Sequence, residues 1–422
     1  MRGIAKIGAL GARRAWLWDN RSAFSAQPLT DKPRLLVDVS AIFQHDAHTG
    51  IQRVVRAVWA QLVHLSGDDF VAVPVYATAS SGYRYAPLDF LSRKRGNFKG
   101  EVVCAGSEDT FLGLDLSAHL LPKYRPQVRA WRLNGTKVHL VVYDVLPLLR
   151  PEWFSNATVR NFSKWFDVLA LDADQAICIS KQVARDLRDR LHERAPGCSL
   201  SITNMGMGAD IADSRPSEGI CREVSILVDR LRFRPGILMV GTIEPRKAYD
   251  TALAAFENLW RDRGGDAPDL VIVGKAGWKT KALQQRIRSH PEHSRRLHWL
   301  EGVTDEGLVR LYDSCRGVLM ASHGEGFGLP LIEAMAHRRY VLARDLPVFR
   351  EQNLPNTLYF EDDRPAPLGD RLMELASVGP VASQSKFNLP TWSDSVDHLL
   401  ASLDISVKAQ GPGRLSVAPP IA

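Results

Sequence analysis

Short apolar runs alternate with amphipathic stretches from about residue 34 to residue 403. Runs of four to eight apolar residues with helices between them are typical of parallel strands that are buried on both faces. The runs predict strands at 34–40, 70–76, 137–142, 175–180, 202–208, 236–241, 270–274, 297–300, 318–321, 340–343 and 358–360. The alternation predicts an α/β fold with two doubly wound, Rossmann-like sheets.

Helical periodicity and capping residues predict helices that begin near residues 50, 161, 181, 220, 250, 305, 330, 345 and 390. A chain of 422 residues is longer than one typical hydrophobic core supports, which favours two domains. We expect a basic leader (1–33), a first domain (34–218), a second domain (219–389), a final helix (390–404) and a disordered tail (405–422).

The charge distribution excludes one class of partner. The formal net charge is +7, but residues 1–30 and 405–422 carry most of it, so the basic balance does not indicate a nucleic-acid-binding surface. The five cysteines have no zinc-ligand spacing, which favours a reduced, cytoplasmic protein. No apolar run approaches the ~20 residues of a membrane-spanning helix. Trp16, Leu17 and Trp18 lie beside Arg13 and Arg14, so the leader is either an amphipathic helix on an anionic membrane surface or a disordered segment.

The glycine-rich turn at 322–328 carries the clearest chemical signal. It follows a buried strand and precedes a helix that begins near Pro330. Glu325 lies in the turn and Glu333 lies about one turn into the helix, so both can face one crevice. Glycines let a ligand approach the backbone, and the free amides of a helix N-terminus attract phosphate. Carboxylates beside a phosphate site are suited to sugar hydroxyls, so the turn predicts a nucleotide-sugar site.

Other polar residues follow the carboxyl ends of predicted strands, where open α/β sheets bind ligands. Arg246 and Lys247 come just after the strand at 236–241, and two cations there suit a diphosphate. Thr49 and Gly50 open a helix and are suited to an N-terminus that touches an anion. Gln52 and Arg53, in the same turn, are either ligand contacts or part of a capped helix without a ligand.

Two stretches resemble a known family. The run G-E-G-F-G-L-P-L-I-E-A resembles the signature of the retaining glycosyltransferases of family 4, which have the GT-B fold. The run D-A-H-T-G-I-Q-R-V-V-R resembles bacterial mannosyl- and rhamnosyltransferases of polysaccharide and O-antigen synthesis. The resemblance covers residues 34–403 and implies two domains facing a central cleft, the first for the acceptor and the second for the donor. It also implies that the last helix crosses back to the first domain.

The resemblance implies a role for each residue of the donor site. Glu333 would hold the ribose, and Lys247, with Arg246 in support, would hold the diphosphate. The remaining donor-side residues are Gly328 and Leu329 at the phosphates, Glu325, Gly326 and Phe327 at the hexose, Gly274, Leu300 and Val303 at the base, and Thr49 and Gly50 in the first-domain loop.

The catalytic residues that we expect are Glu325 and Asp144, which follows the strand at 137–142; the alternative for Asp144 is a structural turn cap. Many family members have a histidine where this chain has Tyr143. A double displacement needs a carboxylate on the far face of the sugar, and none is assigned, which favours a same-face transfer. No D-x-D occurs in a strand-end loop, so we expect neither a metal nor another cofactor.

The resemblance implies GDP-mannose or a GDP-deoxyhexose such as GDP-rhamnose as the donor. It implies a growing bacterial surface glycan as the acceptor, lipid-linked at the cytoplasmic face of the inner membrane, and we expect no nucleic-acid partner. Two alternatives stay open: a GT-B epimerase or phosphorylase, and a non-catalytic nucleotide- or glycan-binding subunit.

Overall fold

The computed structural model describes residues 32–67, 69–92, 98–211, 217–381 and 389–406. Residues 1–31 of the predicted leader and 407–422 of the predicted tail lie outside the described residues, and so does the hypothesis of a membrane-bound leader. Within the described ranges, no helix has the length and hydrophobicity that crossing a bilayer requires.

The first sheet has seven strands in the order β3-β2-β1-β4-β5-β6-β7. The strands are β1 (Arg34–Asp38), β2 (Val71–Tyr76), β3 (Arg84–Tyr85), β4 (Thr110–Gly113), β5 (Lys137–Val142), β6 (Gln175–Cys178) and β7 (Ser201–Asn204). All neighbouring pairs are parallel except β2 with the two-residue edge strand β3. The chain therefore reverses its direction of winding between β1 and β4.

The second sheet has six parallel strands in the order β10-β9-β8-β11-β12-β13. They are β8 (Gly236–Val240), β9 (Asp269–Val273), β10 (Leu297–Leu300), β11 (Gly317–Met320), β12 (Tyr340–Arg344) and β13 (Thr357–Phe360). This is the 3-2-1-4-5-6 order of dinucleotide-binding Rossmann sheets. Its winding reverses between β8 and β11, and such a reversal is where open sheets of this kind bind ligands.

Helices cover both sheets. They are α1 (Ser40–Gln44), α2 (Gly50–Leu65), α3 (Arg125–Leu133), α4 (Leu146–Leu149), α5 (Asn156–Asp172), α6 (Lys181–Arg194), α7 (Arg222–Leu231), α8 (Tyr249–Arg263), α9 (Lys281–Arg288), α10 (Asp305–Ser314), α11 (Leu329–Ala336), α12 (Pro347–Arg350), α13 (Pro365–Ser377) and α14 (Trp392–Ser402). Helix α14 packs against α2, and the indole of Trp392 is buried with its Nε1 donating to the carbonyl of Asp210. The last helix therefore rests on the part of the chain that forms the first sheet.

The predicted α/β class with two Rossmann-like sheets is confirmed. Sequence periodicity did not predict β4, α3, α9 or α13, and the helix expected near residue 345 is only the single turn α12. Strand β4 is four residues long, which is too short for a periodic signal, although it lies at the centre of the first sheet. It pairs with both β1 and β5, and those neighbours rather than local pattern stabilise it.

Candidate active site between the two sheets

Glu325 forms the centre of a charged cluster where β8 and β11 lie side by side. Its carboxylate accepts from Arg246 Nη1 at 2.6 Å, from Lys247 Nζ, and from Ser322 Oγ at 2.7 Å. Only 6% of the side chain is exposed. Burial alone would raise the pKa of Glu325, but the two cations outweigh it and lower the pKa to about 2. Glu325 is therefore ionised at neutral pH.

Arg246 is surrounded by carboxylates from both sheets. Its Nη2 pairs with Glu244 at 2.7 Å, its Nη1 pairs with Glu325, and the charge of Asp144 also acts on it. Burial disfavours the charge of Arg246, but these three carboxylates raise its pKa overall. Burial in turn raises the pKa values of Glu244 and Asp144. An incoming anion therefore has to share Arg246 with acids that are already desolvated.

Glu333 lies in a second cluster that joins the two sheets. Arg53, in the first turn of α2, pairs with Glu333 and with Asp305 Oδ1, the latter at 2.9 Å. Tyr312 Oη donates to the other oxygen of Glu333 at 2.7 Å, and Asp305 Oδ2 accepts from the amide and hydroxyl of Ser217. Burial would lower the pKa of Arg53, but Glu333 and Asp305 raise it, so the cation persists. Both oxygens of Glu333 therefore have protein partners in this form.

The glycines of the turn let it run closely past loops of the first domain. A Cβ at Gly326 would lie 1.9 Å from the carbonyl oxygen of Tyr143, and a Cβ at Gly324 would lie 2.9 Å from the Trp153 ring. Ser180 Oγ also donates to the carbonyl of Gly326 at 2.7 Å. First-domain residues therefore contact this segment along its length. In order from residue 324 to residue 333 they are Trp153 with Leu146, Tyr143 with Asp144 and Ser180, Gly50, and Arg53.

The start of α11 faces the start of α2. Gly328 caps α11 with a φ of 90°, a left-handed conformation that favours glycine, and the next residue is Leu329. A Cβ on Gly50 would lie 3.8 Å from Leu329 Cδ1. Thr49 forms a capping box with Gln52, so Gln52 has the structural role of its two alternatives. Phe327 is half-buried, and its carbonyl accepts from Gln352.

Asp144 and Tyr143 differ in their relation to the cleft. Asp144 Oδ1 accepts from the amide of Leu146, the first residue of α4, at 3.0 Å, while its charge acts on Arg246. Asp144 can therefore hold the start of α4 and act on Arg246 at the same time. Tyr143 is 4% exposed, and its hydroxyl donates to the carbonyl of Leu114 at 2.8 Å. Tyr143 thus points into the first domain, away from the charged cluster.

The three base-side residues lie on adjacent strand ends. The amide of Gly274 donates to the carbonyl of Leu300 at 3.1 Å, and its carbonyl accepts from Trp299 Nε1 at 2.8 Å. Leu300 is 8% exposed, and Val303 is half-buried. The backbone of Gly274 is thus already bonded within the second sheet, and Leu300 is the most buried of the three.

Several residues of the cleft were not assigned from the sequence. The sequence left Arg53 as either a ligand contact or part of a capped helix. In the structure, its side chain instead pairs with two carboxylates of the second domain, Asp305 and Glu333. Glu244 could have been found from its place in T-I-E-P-R-K, because it lies close to Arg246 just after a predicted strand. Ser180 could have been found as the N-cap of a predicted helix. Among the described residues, no group of His, Cys, Asp or Glu side chains could hold a metal ion.

Residues 234–377 match the protein family described as "Glycosyl transferases group 1". Over 384 residues the chain is 38% identical to "Serotype-specific mannosyltransferase WbdA" of Escherichia coli, covering 89% of this chain and 46% of that protein. It is 29% identical over 240 residues to "O-antigen chain mannosyltransferase B" of Escherichia coli, covering 51% of this chain and 60% of that protein. The chain thus spans about half the length of the WbdA relatives that it matches.

Solved structures share the arrangement of the two sheets. Anabaena Alr3699/HepE, crystallised with UDP and glucose, has a TM-score of 0.56 at 14% identity, covering 88% of this chain and 99% of that one. Sucrose-phosphate synthase from Thermosynechococcus elongatus has the same TM-score, identity and coverage. The predicted GT-B architecture is therefore confirmed. On this framework, the family match over residues 234–377 includes all six strands of the second sheet.

Proposed function

We propose that this chain is a retaining glycosyltransferase that moves a mannose- or rhamnose-type hexose from a GDP-sugar to a growing bacterial surface glycan. The observation that carries the proposal is the placement of Glu325 between Arg246 and Lys247 at the reversal of the second sheet, beside Asp144 of the first. The printed names of the relatives, a serotype-specific mannosyltransferase and an O-antigen chain mannosyltransferase, support mannose and a surface glycan.

The donor diphosphate would take over the cations that Glu325 holds in this form. Lys247 and Arg246 would neutralise the phosphates, and the amides at Gly328 and Leu329 would donate to them at the start of α11. Glu325, released from part of its pairing, would accept hydrogen bonds from hexose hydroxyls, with Gly326 and Phe327 beside it. A sugar diphosphate carries hydroxyls next to an anionic group. This matches a site in which the carboxylate of Glu325 lies next to the cations of Arg246 and Lys247.

The nucleoside would occupy the second cluster. Glu333 would accept from the ribose hydroxyls. Only 3% of its side chain is exposed, and Tyr312 is fully buried, so Arg53 is the partner that would move aside to admit the sugar. The base would lie toward Val303, Leu300 and Gly274. Arg53 can remain paired with Asp305 during this exchange, so its charge does not become unpaired.

The proposed transfer breaks the bond between the anomeric carbon and the diphosphate and forms a bond to an acceptor hydroxyl on the same face. The acceptor oxygen is the nucleophile, and the departing phosphate accepts its proton, so neither a side-chain nucleophile nor a side-chain base is required. Arg246 and Lys247 stabilise the charge that develops on the leaving group, which is work that a metal ion does in other enzymes. Asp144 and Glu244 would orient Arg246 for this purpose. Metal-independent transfer, and a cytoplasmic or peripheral membrane location, stay predictions.

A panel of nucleoside diphosphates and nucleotide sugars in a thermal-shift assay, followed by product analysis, tests the proposal. A ligand at 100 times its dissociation constant adds about 2.7 kcal/mol of stability. We expect GDP and GDP-mannose to stabilise the protein more than UDP. With a mannose oligosaccharide, GDP-mannose should yield GDP and a longer glycan of retained anomeric configuration. An isomerised nucleotide sugar would indicate the epimerase alternative, and binding without turnover would indicate the non-catalytic one.

A further inference from the structure

Four aromatic side chains from both sheets meet at one end of the cleft. Trp153 and Phe154 follow α4 in the first domain, while Trp278 and His323 follow strands β9 and β11 of the second. The rings of Trp153 and His323 are stacked with centroids 6.3 Å apart. Those of Phe154 and Trp278 are stacked with centroids 6.2 Å apart. We call these four side chains the aromatic rim.

The aromatic rim adjoins the Glu325 cluster. Trp153 lies against Gly324, the residue before Glu325, and the amide of His323 donates to the carbonyl of Arg246 at 2.7 Å. Glu333 is eight residues further along the same segment, where Arg53 contacts it. The aromatic rim and the proposed nucleoside cluster therefore lie at opposite ends of the segment, with the charged cluster between them.

The aromatic rim presents apolar surface to solvent beside a polar centre. Trp278 is 40% exposed, and Trp153 is half-buried under the guanidinium of Arg150, which lies 5.6 Å from its ring centroid. Trp278 Nε1 donates to the carbonyl of Trp153, and Lys279 Nζ donates to the carbonyl of Glu152, both at 2.8 Å. These bonds fix the indole of Trp278 by its edge and leave part of its surface uncovered.

We propose that the aromatic rim binds a sugar ring of the acceptor glycan, an inference that rests on the proposed function. A pyranose has an apolar face of C–H groups that suits an aromatic surface, and its hydroxyls suit flanking polar groups such as Arg150 and His323. An acceptor held there would present its hydroxyl toward the donor hexose at Glu325. Because both sheets supply rings, this subsite depends on the contacts that join Trp153 to His323 and Phe154 to Trp278.

Kinetics of Trp278→Ala with GDP-mannose as donor and α-mannotriose as acceptor test the proposal. We expect the acceptor KM to rise about tenfold, and the donor KM to stay within about twofold. Trp278→Phe keeps a ring but lacks the N–H group, so its acceptor KM should rise less than that of Trp278→Ala. Phe233→Ala is the matched control, because Phe233 is 88% exposed on the turn after α7 and is not in the cleft; it should change neither KM.

Three outcomes would overturn the proposal. An equal rise in the donor KM, or weaker GDP binding, would assign Trp278 to the nucleotide. Equal effects of Trp278→Phe and Trp278→Ala would assign the role to the hydrogen bond with Trp153, and no effect of either variant would exclude the subsite. If wild-type protein transfers no mannose, the proposed function fails separately. Ligand-observed NMR of α-mannotriose binding to the wild type and to Trp278→Ala would then still decide whether the aromatic rim binds glycan.

Discussion

Arg53 offers the sharpest test of how the cleft receives a nucleotide. Its guanidinium pairs with Glu333 and Asp305 across the two sheets, and only 17% of its side chain is exposed. Because only 3% of the Glu333 side chain is exposed, we propose that the ribose reaches this carboxylate by displacing Arg53. Replacing Arg53 with Met keeps the aliphatic stem and removes the charge. We therefore expect Arg53→Met to bind GDP more tightly than the wild type does.

The magnitude follows from the bonds that the wild type has to break. A hydrogen bond to a charged group contributes about 1.5–3 kcal/mol, and Arg53 makes one such contact to Glu333. Tyr312 still donates to Glu333 in the variant, so the carboxylate is not left without a partner. Removing the competing bond should lower the Kd for GDP by about 10- to 150-fold, since each 1.4 kcal/mol is tenfold.

Isothermal titration calorimetry with GDP measures this change. Arg56→Met is the matched control, because Arg56 lies on the same helix with 11% of its side chain exposed but pairs with Asp46 in its own domain. We expect its Kd for GDP to equal that of the wild type. Weaker binding by Arg53→Met would refute the reasoning, since it would mean that Arg53 itself holds the nucleotide. An unchanged Kd would mean that the ribose does not displace Arg53 from Glu333.

Three further predictions concern the charged cluster. Glu325 has its pKa lowered from 4.5 to about 2, so it stabilises the fold fully above pH 4.5 and loses that contribution as the pH falls toward 2. Glu325→Gln should therefore lower the free energy of unfolding by about 3 kcal/mol at pH 7 and by less at pH 3, as urea denaturation measures; a constant difference would contradict the ion pairing. Lys247→Ala should weaken GDP binding by about 10- to 150-fold in calorimetry, and an unchanged Kd would remove the diphosphate from this cluster. Treatment with EDTA should leave the transfer rate unchanged, whereas a loss reversed only by a divalent cation would show that Arg246 and Lys247 do not suffice.

The sequence was sufficient to predict those contacts of the cleft that lie within one domain. Apolar runs predicted most strands, and strand-end positions brought Arg246, Lys247 and Glu325 together. This worked because β8 and β11 are neighbours in any sheet of the 3-2-1-4-5-6 order. Local spacing also predicted that Glu325 and Glu333 can face one crevice. The structure instead places them in two clusters, Glu325 with Arg246 and Glu333 with Arg53.

The contacts between the sheets could not be predicted in the same way. Arg53 and Glu333 are 280 residues apart, and Trp153 and Trp278 are 125 residues apart. No local periodicity encodes such pairs, because they depend on how the two sheets face each other. The sequence therefore suggested the residues that would bind a nucleotide sugar, but not the pairing of Arg53 with Glu333 or the contact of Trp153 with Trp278.

A crystal structure of the protein with GDP tests the central claim most directly. We expect the diphosphate within hydrogen-bonding distance of Lys247 Nζ, and the ribose hydroxyls on the carboxylate of Glu333 in place of Arg53. A nucleotide bound in another cavity, or one bound while Arg53 still holds Glu333, would contradict the account.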